Sequence, residues 1–435
     1  MNDKKLKVVW ICHFSDARIR SQIKFCRFYY RNFINLIMGK PLPLRSDYAV
    51  WVTNAIKEFE HFSDIELTII FPYPAIRGKL QKFKINGVNY ICFRSEDDTW
   101  EGFLRRRISP IKQRYFYKNR GVIKKLIEQI SPDIIHIIGA ENPYYSISAL
   151  DIPANIPSIV SLQTLMSDSD FLDNYPIRKD EYMYRAKIER EVIKKCSYIA
   201  SPVTKFKEIV VADICPGATF LNMDLAIGED INMIQVEKEY DFVYFAADIS
   251  KAADYAIEAF ALASAQNPGI TLNISGNYSL SYKSFLDERI EELGIKNHVF
   301  ITGPQTTHND VLRQIRKSKI ALLPLKVDMI SGTVREAMAC GIPVITTITP
   351  ETPSLNEKRE SVLLSIKGDY VSMAENMHEL LHDELKYNQL KHNGVETIRE
   401  KCSNSAFMSK WRKAYYEVVS NFRNGMPFSE DILMK

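Results

Sequence analysis

Short runs of β-branched and large apolar residues alternate along this chain with longer stretches of helical periodicity, and that alternation restricts the fold more than any other feature. It is the pattern of parallel strands covered by helices. A first set of strands is expected at Val8–Cys12, Ile65–Phe71, Tyr90–Phe93, Pro132–Ile138, Pro157–Leu162, Tyr198–Ser201 and Thr219–Leu221. An irregular stretch that turns charged, 225–240, interrupts the pattern and is taken as a linker. A second set then follows: strand Phe242–Ala246, helix Ala252–Ala265, strand Ile270–Ser275, helix Tyr282–Leu293, strand Val299–Thr302, helix Asn309–Lys317 and strand Ile320–Leu323. With 435 residues, the chain is too long for one core. Two α/β domains, 1–224 and 241–404, are the expected arrangement, with ligands near the carboxyl ends of the strands. The tail 405–435 carries Phe407, Trp411, Tyr415, Val418 and Val419 at helical spacing, so it should form a long amphipathic helix.

Within the second set, Leu325–Thr347 carries the densest chemistry. Ser331-Gly332-Thr333-Val334 is a small-residue turn suited to a helix N-terminus, which offers unpaired N–H groups and partial positive charge to a phosphate. Glu336 follows in an Ala-rich segment, and Asp328 precedes it by eight residues. Together they point to a site for a sugar nucleotide. The structural alternative is close helix–sheet packing through Ala337, Ala339 and Gly341, with Glu336 complementing the helix dipole. Only 17 glycines occur, and neither the dinucleotide fingerprint nor the P-loop motif is present.

Seven cysteines are scattered without a C-x-x-C pair, which fits a reducing compartment and argues against disulfides or a zinc site. The apolar run after Lys4, Lys5 and Lys7 is too short for a signal peptide or membrane span, so a cytoplasmic location is expected. Charge is uneven: residues 1–200 carry a net +10 and residues 201–435 a net −6. Much of the excess lies in 102–126, with nine Lys/Arg, no acid and interleaved aromatics, and in the acid-free aromatic stretch 23–38. Such segments suit an anionic membrane surface rather than nucleic acid. The alternative is a helix that covers the core and shows a solvated basic face.

From residue 240 to about 425 the chain resembles the family 4 glycosyltransferases of the GT-B fold, and in outline the first half does too. The resemblance lies in DISKAADYAIEAFALASAQNPGITLNISG, in IKNHVFITGP, in Asp328 to Glu336 followed by EAMACGIPVI, and in SKWRKAYYEVV. It implies two Rossmann-like domains with parallel sheets facing across a cleft and a C-terminal helix crossing back to the first domain. It also implies retaining transfer of a sugar from a nucleotide-diphosphate sugar to a glycan or lipid-linked acceptor, as in bacterial surface polysaccharide synthesis, with no metal or other cofactor. Glu336 would bind the ribose. Ser331, Gly332, Thr333 and Val334 would offer N–H groups to the diphosphate, and Lys251 would neutralise it. Asp328 would approach the transferred sugar, and Gly303 and Pro304 would border the base.

Several positions depart from the family pattern. Asp328 stands where Glu is usual, Phe245 and Ala246 where an Arg is usual, and Gln163 where a His is common near the donor. His13-Phe14-Ser15-Asp16-Ala17-Arg18 replaces a glycine-rich loop, and Arg18 is the candidate to supply the missing positive charge on the acceptor side. A catalytically degenerate nucleotide-sugar-binding partner subunit and a nucleotide-sugar 2-epimerase are the competing readings. Asp168-Ser169-Asp170 has the D-x-D spacing of metal-dependent transferases of another fold.

Overall fold

The computed structural model describes residues 5–27, 29–37, 45–99, 115–173, 179–224, 236–245, 252–276, 278, 280–326 and 331–434. The chain divides into two compact units, Met1–Ala226 with Ser405–Lys435, and Ile227–Asn404. Of the expected linker 225–240, residues 225–235 lie outside the described residues.

Unit 1 is built on eight strands: β1 Leu6–Ile11, β2 Ile65–Pro72, β3 Leu80–Ile85, β4 Val88–Phe93, β5 Ile134–Ile138, β6 Ser158–Ser161, β7 Tyr198–Ala200 and β8 Thr219–Leu221. They lie in the order β3-β4-β2-β1-β5-β6-β7-β8. Every pairing is parallel except β3–β4. β1 and β5 are buried almost throughout, as strands covered on both faces must be. The β3–β4 hairpin corrects the expected pattern, in which only the second of these strands appears. Its turn is Asn86-Gly87, both with positive φ (45° and 87°), the backbone that a two-residue hairpin requires and that Asn-Gly adopts readily.

Unit 2 holds six strands: β9 Tyr240–Phe245, β10 Leu272–Ser275, β11 Val299–Thr302, β12 Ser318–Leu323, β13 Val344–Thr347 and β14 Leu363–Ser365. Their order is β11-β10-β9-β12-β13-β14, all parallel. In both units the first strand in sequence lies inside the sheet and later strands are added on both sides of it, so each sheet has a topological switch point there.

The C-terminal helix Asn404–Asn424 packs into unit 1. Met408, Trp411, Ala414, Tyr415, Val418 and Val419 join the core that holds Trp10, Phe14 and Phe71. This spacing is the one read from the sequence, and it places one stripe of the helix against the sheet. A buried polar network fixes the register: Trp10 Nε1 donates to Tyr415 Oη at 2.8 Å, Tyr415 Oη meets His136 Nδ1 at 2.7 Å, and His136 Nε2 meets Ser161 Oγ at 2.7 Å. Burial pushes His136 down to about 3, so its imidazole is neutral. Beyond the helix the chain returns to the sheet edge: Asn222 N donates to Ile432 O (2.7 Å) and Met434 N to Phe220 O (2.9 Å).

Candidate active site

The described site residues of unit 2, Gly303, Pro304, Ser331, Gly332, Thr333, Val334 and Glu336, follow the carboxyl ends of β11 and β12. After β12 the chain runs through Pro324, Leu325 and Lys326, and helix Gly332–Ala339 begins behind the N-cap Ser331. Asp328 and Lys251 lie outside the described residues. Ser331 Oγ accepts from Thr333 N at 3.3 Å and meets Thr333 Oγ1 at 2.8 Å. The cap therefore serves one first-turn N–H, while helix geometry leaves the others of that turn without an intrahelical acceptor. Gly332 is exposed, and a side chain added there would meet nothing within 4 Å. Val334 is buried and anchors the same turn to the core. Thr347 Oγ1, at the end of β13, accepts from Leu325 N and donates to Leu325 O, each at 2.8 Å. That double contact fixes where the loop leaves β12.

Glu336 lies one turn further along this helix. Its Oε1 is 3.5 Å from His308 Nε2, and the two side chains are only 19% and 21% exposed. His308 opens helix His308–Arg316, whose N-cap Thr307 accepts from Asp310 N. Gly303 and Pro304 are exposed at the start of the same connection after β11. The His308–Glu336 contact thus brings the loop after β11 to the helix after β12.

Two of these features were missed in the sequence. His308 carries no motif of its own, and only the fold shows its nearness to Glu336. Lys326 is the other. Its Nζ lies 2.6 Å from Asp254 Oδ2 and 4.7 Å from the Tyr255 ring centroid. Its place directly after the apolar run of β12, at a strand's carboxyl end, was the available signal.

In unit 1, Gln163 is half-buried two residues beyond β6. Arg18 lies on helix Ala17–Gln22, with Nη1 2.8 Å from Glu60 Oε1 and Nη2 3.7 Å from Asp16 Oδ2. Within unit 1 it is thus ion-paired with two carboxylates. The two acids of the D-x-D spacing are ion-paired as well. Lys205 Nζ lies 2.6 Å from Asp168 Oδ2 and 2.8 Å from Asp170 Oδ2, so a lysine holds both carboxylates. Among the described residues, no three His, Cys, Asp or Glu side chains group as metal ligands.

Known proteins resemble this chain in part of its sequence and in its fold. Residues 229–397 match the family described as glycosyl transferases group 1. N-acetyl-alpha-D-glucosaminyl L-malate synthase of Bacillus anthracis is 26% identical over 136 residues, which is 31% of this chain and 35% of that protein. The aligned part is therefore about a third of that relative's length. Among solved structures, sucrose-phosphate synthase from Thermosynechococcus elongatus superposes with a TM-score of 0.68 at 12% identity, covering 96% of this chain and 100% of that one. The E. coli trehalose-6-phosphate protein bound with UDP-2-fluoro glucose superposes with a TM-score of 0.63 at 11% identity, covering 94% and 98%. The chain has the GT-B fold, with two Rossmann-like sheets, and residues 229–397 are similar to the glycosyl transferases of group 1.

Proposed function

We propose that this protein is a retaining glycosyltransferase that moves a sugar from a nucleotide-diphosphate sugar to a glycan or lipid-linked acceptor, in bacterial surface polysaccharide synthesis. The observation that carries the proposal is the Ser331-capped helix Gly332–Ala339 bearing Glu336 beside His308, inside the segment that matches the group 1 family. The helix N-terminus supplies N–H donors and partial positive charge to a diphosphate. Glu336, half-buried one turn along, accepts from ribose hydroxyls. Lys251 neutralises charge on the departing diphosphate, and Asp328 lies at the sugar end. Gly303 and Pro304 border the base.

Retention proceeds on one face of the sugar. The leaving diphosphate accepts the acceptor's proton as the new glycosidic bond forms, and the protein contributes positioning and electrostatic stabilisation. Uracil is the base of choice, since the E. coli neighbour is bound with a UDP-sugar analogue. No metal takes part, so activity survives EDTA.

The same proposal places the protein on the cytoplasmic face of a membrane. Helix Tyr30–Ile37 exposes Phe33 (63%), Leu36 (71%) and Ile37 (69%). Helix Tyr117–Ile130 buries Ile123, Leu126 and Ile127 and leaves Lys118, Lys124 and Lys125 exposed. Apolar and basic groups of this kind suit an anionic lipid interface. Residues 28, 38 and 102–114 of the two basic segments lie outside the described residues. Among the described residues, no helix is long and apolar enough to cross a membrane.

The test is a thermal-shift screen of UDP-, GDP-, ADP- and dTDP-sugars, because a ligand in excess of its Kd raises the melting temperature. A shift with one base class, and release of that nucleoside diphosphate on adding acceptor, is the expected result. No shift with any of the four sinks the proposal.

A further inference from the structure

The helix that follows β14, Tyr370–His382, ends on His378-Glu379-Leu380-Leu381-His382. Two residues four positions apart share one face of a helix, one turn from each other. In the spacing H-E-x-x-H they form the helical pattern by which two imidazoles hold a zinc ion. Here the two rings are in contact, with centroids 4.2 Å apart and planes tilted by 32°. Both histidines are exposed, so an ion can reach both rings from solvent.

Hydrogen bonds decide which nitrogen of each neutral ring is open. His382 Nδ1 lies 2.9 Å from the backbone carbonyl oxygen of His378. A carbonyl only accepts, so the proton sits on Nδ1 and Nε2 keeps its lone pair. His378 Nδ1 lies 3.2 Å from Asn267 Oδ1. The amide orientation of Asn267 is fixed, because its Nδ2 donates to Ala263 O at 2.9 Å. Oδ1 therefore accepts from His378, and this ring too carries its proton on Nδ1. Both imidazoles thus offer the lone pair of Nε2 while an oxygen anchors the other nitrogen. That outer anchoring is what orients a metal-binding imidazole and raises its basicity.

The surroundings favour a cation. Helix Ala253–Gln266 ends against the pair, since its C-cap is Asn267, and helix Tyr370–His382 ends on the pair itself. Two helix C-termini, each with partial negative charge, therefore converge there. From 375 to 386 the chain carries Glu375, Glu379, Asp383 and Glu384 against one cation, Lys386. The place in the fold is also distinct. Helix Ala253–Gln266 connects the parallel neighbours β9 and β10, so it runs from their carboxyl ends back to their amino ends. Asn267 and the histidine bonded to it thus lie at the opposite edge of the sheet from the loops that carry Gly303 and Ser331.

We propose that His378 and His382 form a two-imidazole site for a late first-row divalent cation, copper(II), nickel(II) or zinc(II). The ion is held through Nε2 of both rings, with water in its other positions. Imidazole suits these ions, whereas magnesium and calcium prefer oxygen ligands. A catalytic zinc centre takes three protein ligands. Among the described residues no three His, Cys, Asp or Glu side chains group in that way, and Glu379 Oε1 lies 3.9 Å from Lys386 Nζ. The pair is therefore a binding site and not a hydrolytic centre, and it is independent of the transfer reading.

The experiment uses the full-length protein without an affinity tag. Titration calorimetry in a non-coordinating buffer measures binding of copper(II), nickel(II), zinc(II) and magnesium chlorides. Wild type is compared with His378→Gln, His382→Gln and His61→Gln, the last at another exposed histidine. Melting temperatures are measured on the same samples. Wild type is expected to bind copper(II) most tightly, nickel(II) and zinc(II) less so, and magnesium not at all. His378→Gln and His382→Gln should each weaken binding about tenfold or more, and His61→Gln should leave it unchanged. The proposal is overturned if none of the three late metals binds wild type at millimolar concentration, or if either variant of the pair binds as wild type does. A lower melting temperature in both variants with unchanged metal affinity also overturns it, and leaves the histidines as complements to the helix C-terminus.

Discussion

Replacing Tyr415 with Phe removes one oxygen and keeps the ring, so it isolates the polar network under the C-terminal helix. That oxygen accepts the indole N–H of Trp10 at 2.8 Å and lies 2.7 Å from His136 Nδ1. An indole can only donate, so the tyrosine proton goes to Nδ1, and the ring's own proton sits on Nε2 facing Ser161 Oγ. The substitution strands the Trp10 N–H and His136 Nδ1, both on side chains no more than 2% exposed. Each buried group left unsatisfied costs about 1–3 kcal/mol, so a loss of roughly 2–6 kcal/mol is expected. For a domain of this size that lowers the melting temperature on the order of 10 °C. All four tryptophans, at positions 10, 51, 100 and 411, belong to unit 1, so intrinsic fluorescence follows that unit selectively. A loss below about 1 kcal/mol would refute the reasoning. It would mean that water or a ring flip satisfies the stranded groups.

Glu336→Gln keeps the shape of the side chain but removes its charge, so titration calorimetry should show UDP affinity about tenfold weaker, the scale of one charge-assisted hydrogen bond; unchanged affinity would remove Glu336 from the ribose site. Lys251→Ala should lower turnover by on the order of 10² with donor affinity less affected, as for loss of one preorganised stabiliser; steady-state kinetics near wild type would discard that role. Glu141→Gln should alter stability with a defined pH dependence. The carboxyl group titrates at its ordinary value of 4.5 when unfolded, and burial pushes it up to about 7 when folded. Its favourable contribution is therefore complete below 4.5 and is lost as pH rises through 7. By pH 8 the variant should exceed wild type by up to about 3 kcal/mol, and urea titrations should show the gap closing below pH 7. A gap that does not change with pH would show that Glu141 is not the buried titrating group.

The strands of both sheets were legible because nearly every one is a compact apolar run, and the C-terminal helix was legible because Trp411, Tyr415 and Val418 recur at helical spacing. The β3–β4 hairpin carried a readable signal too, since Lys82-Phe83-Lys84-Ile85 alternates directly before Asn86-Gly87. The start of helix Gly332–Ala339 also follows from local chemistry, with Ser331 as its cap. Long-range pairing was not legible. Arg18 looks like a free cation until Glu60, 42 residues away, is seen beside it. Asp168 and Asp170 look like metal ligands until Lys205 appears between them. Glu141 carries no motif, and its raised titration comes from burial. Spacing along a chain shows which groups are present, whereas their charge state and partners are set by contacts across many residues.

The return of the last thirty-odd residues to unit 1 has a consequence for how the molecule is made. Unit 2 is continuous in sequence, from Ile227 to Asn404, whereas unit 1 is split around it. During synthesis the sheet of unit 1 emerges first, but Trp10 and His136 lack their cover until Trp411 and Tyr415 have left the ribosome. At roughly 5–20 residues per second, nearly 200 further residues delay completion by about ten seconds or more. The unit encoded first is thus the last to be finished, and its half-covered sheet waits as an exposed apolar face. In vivo, that interval is when a chaperone has most to protect.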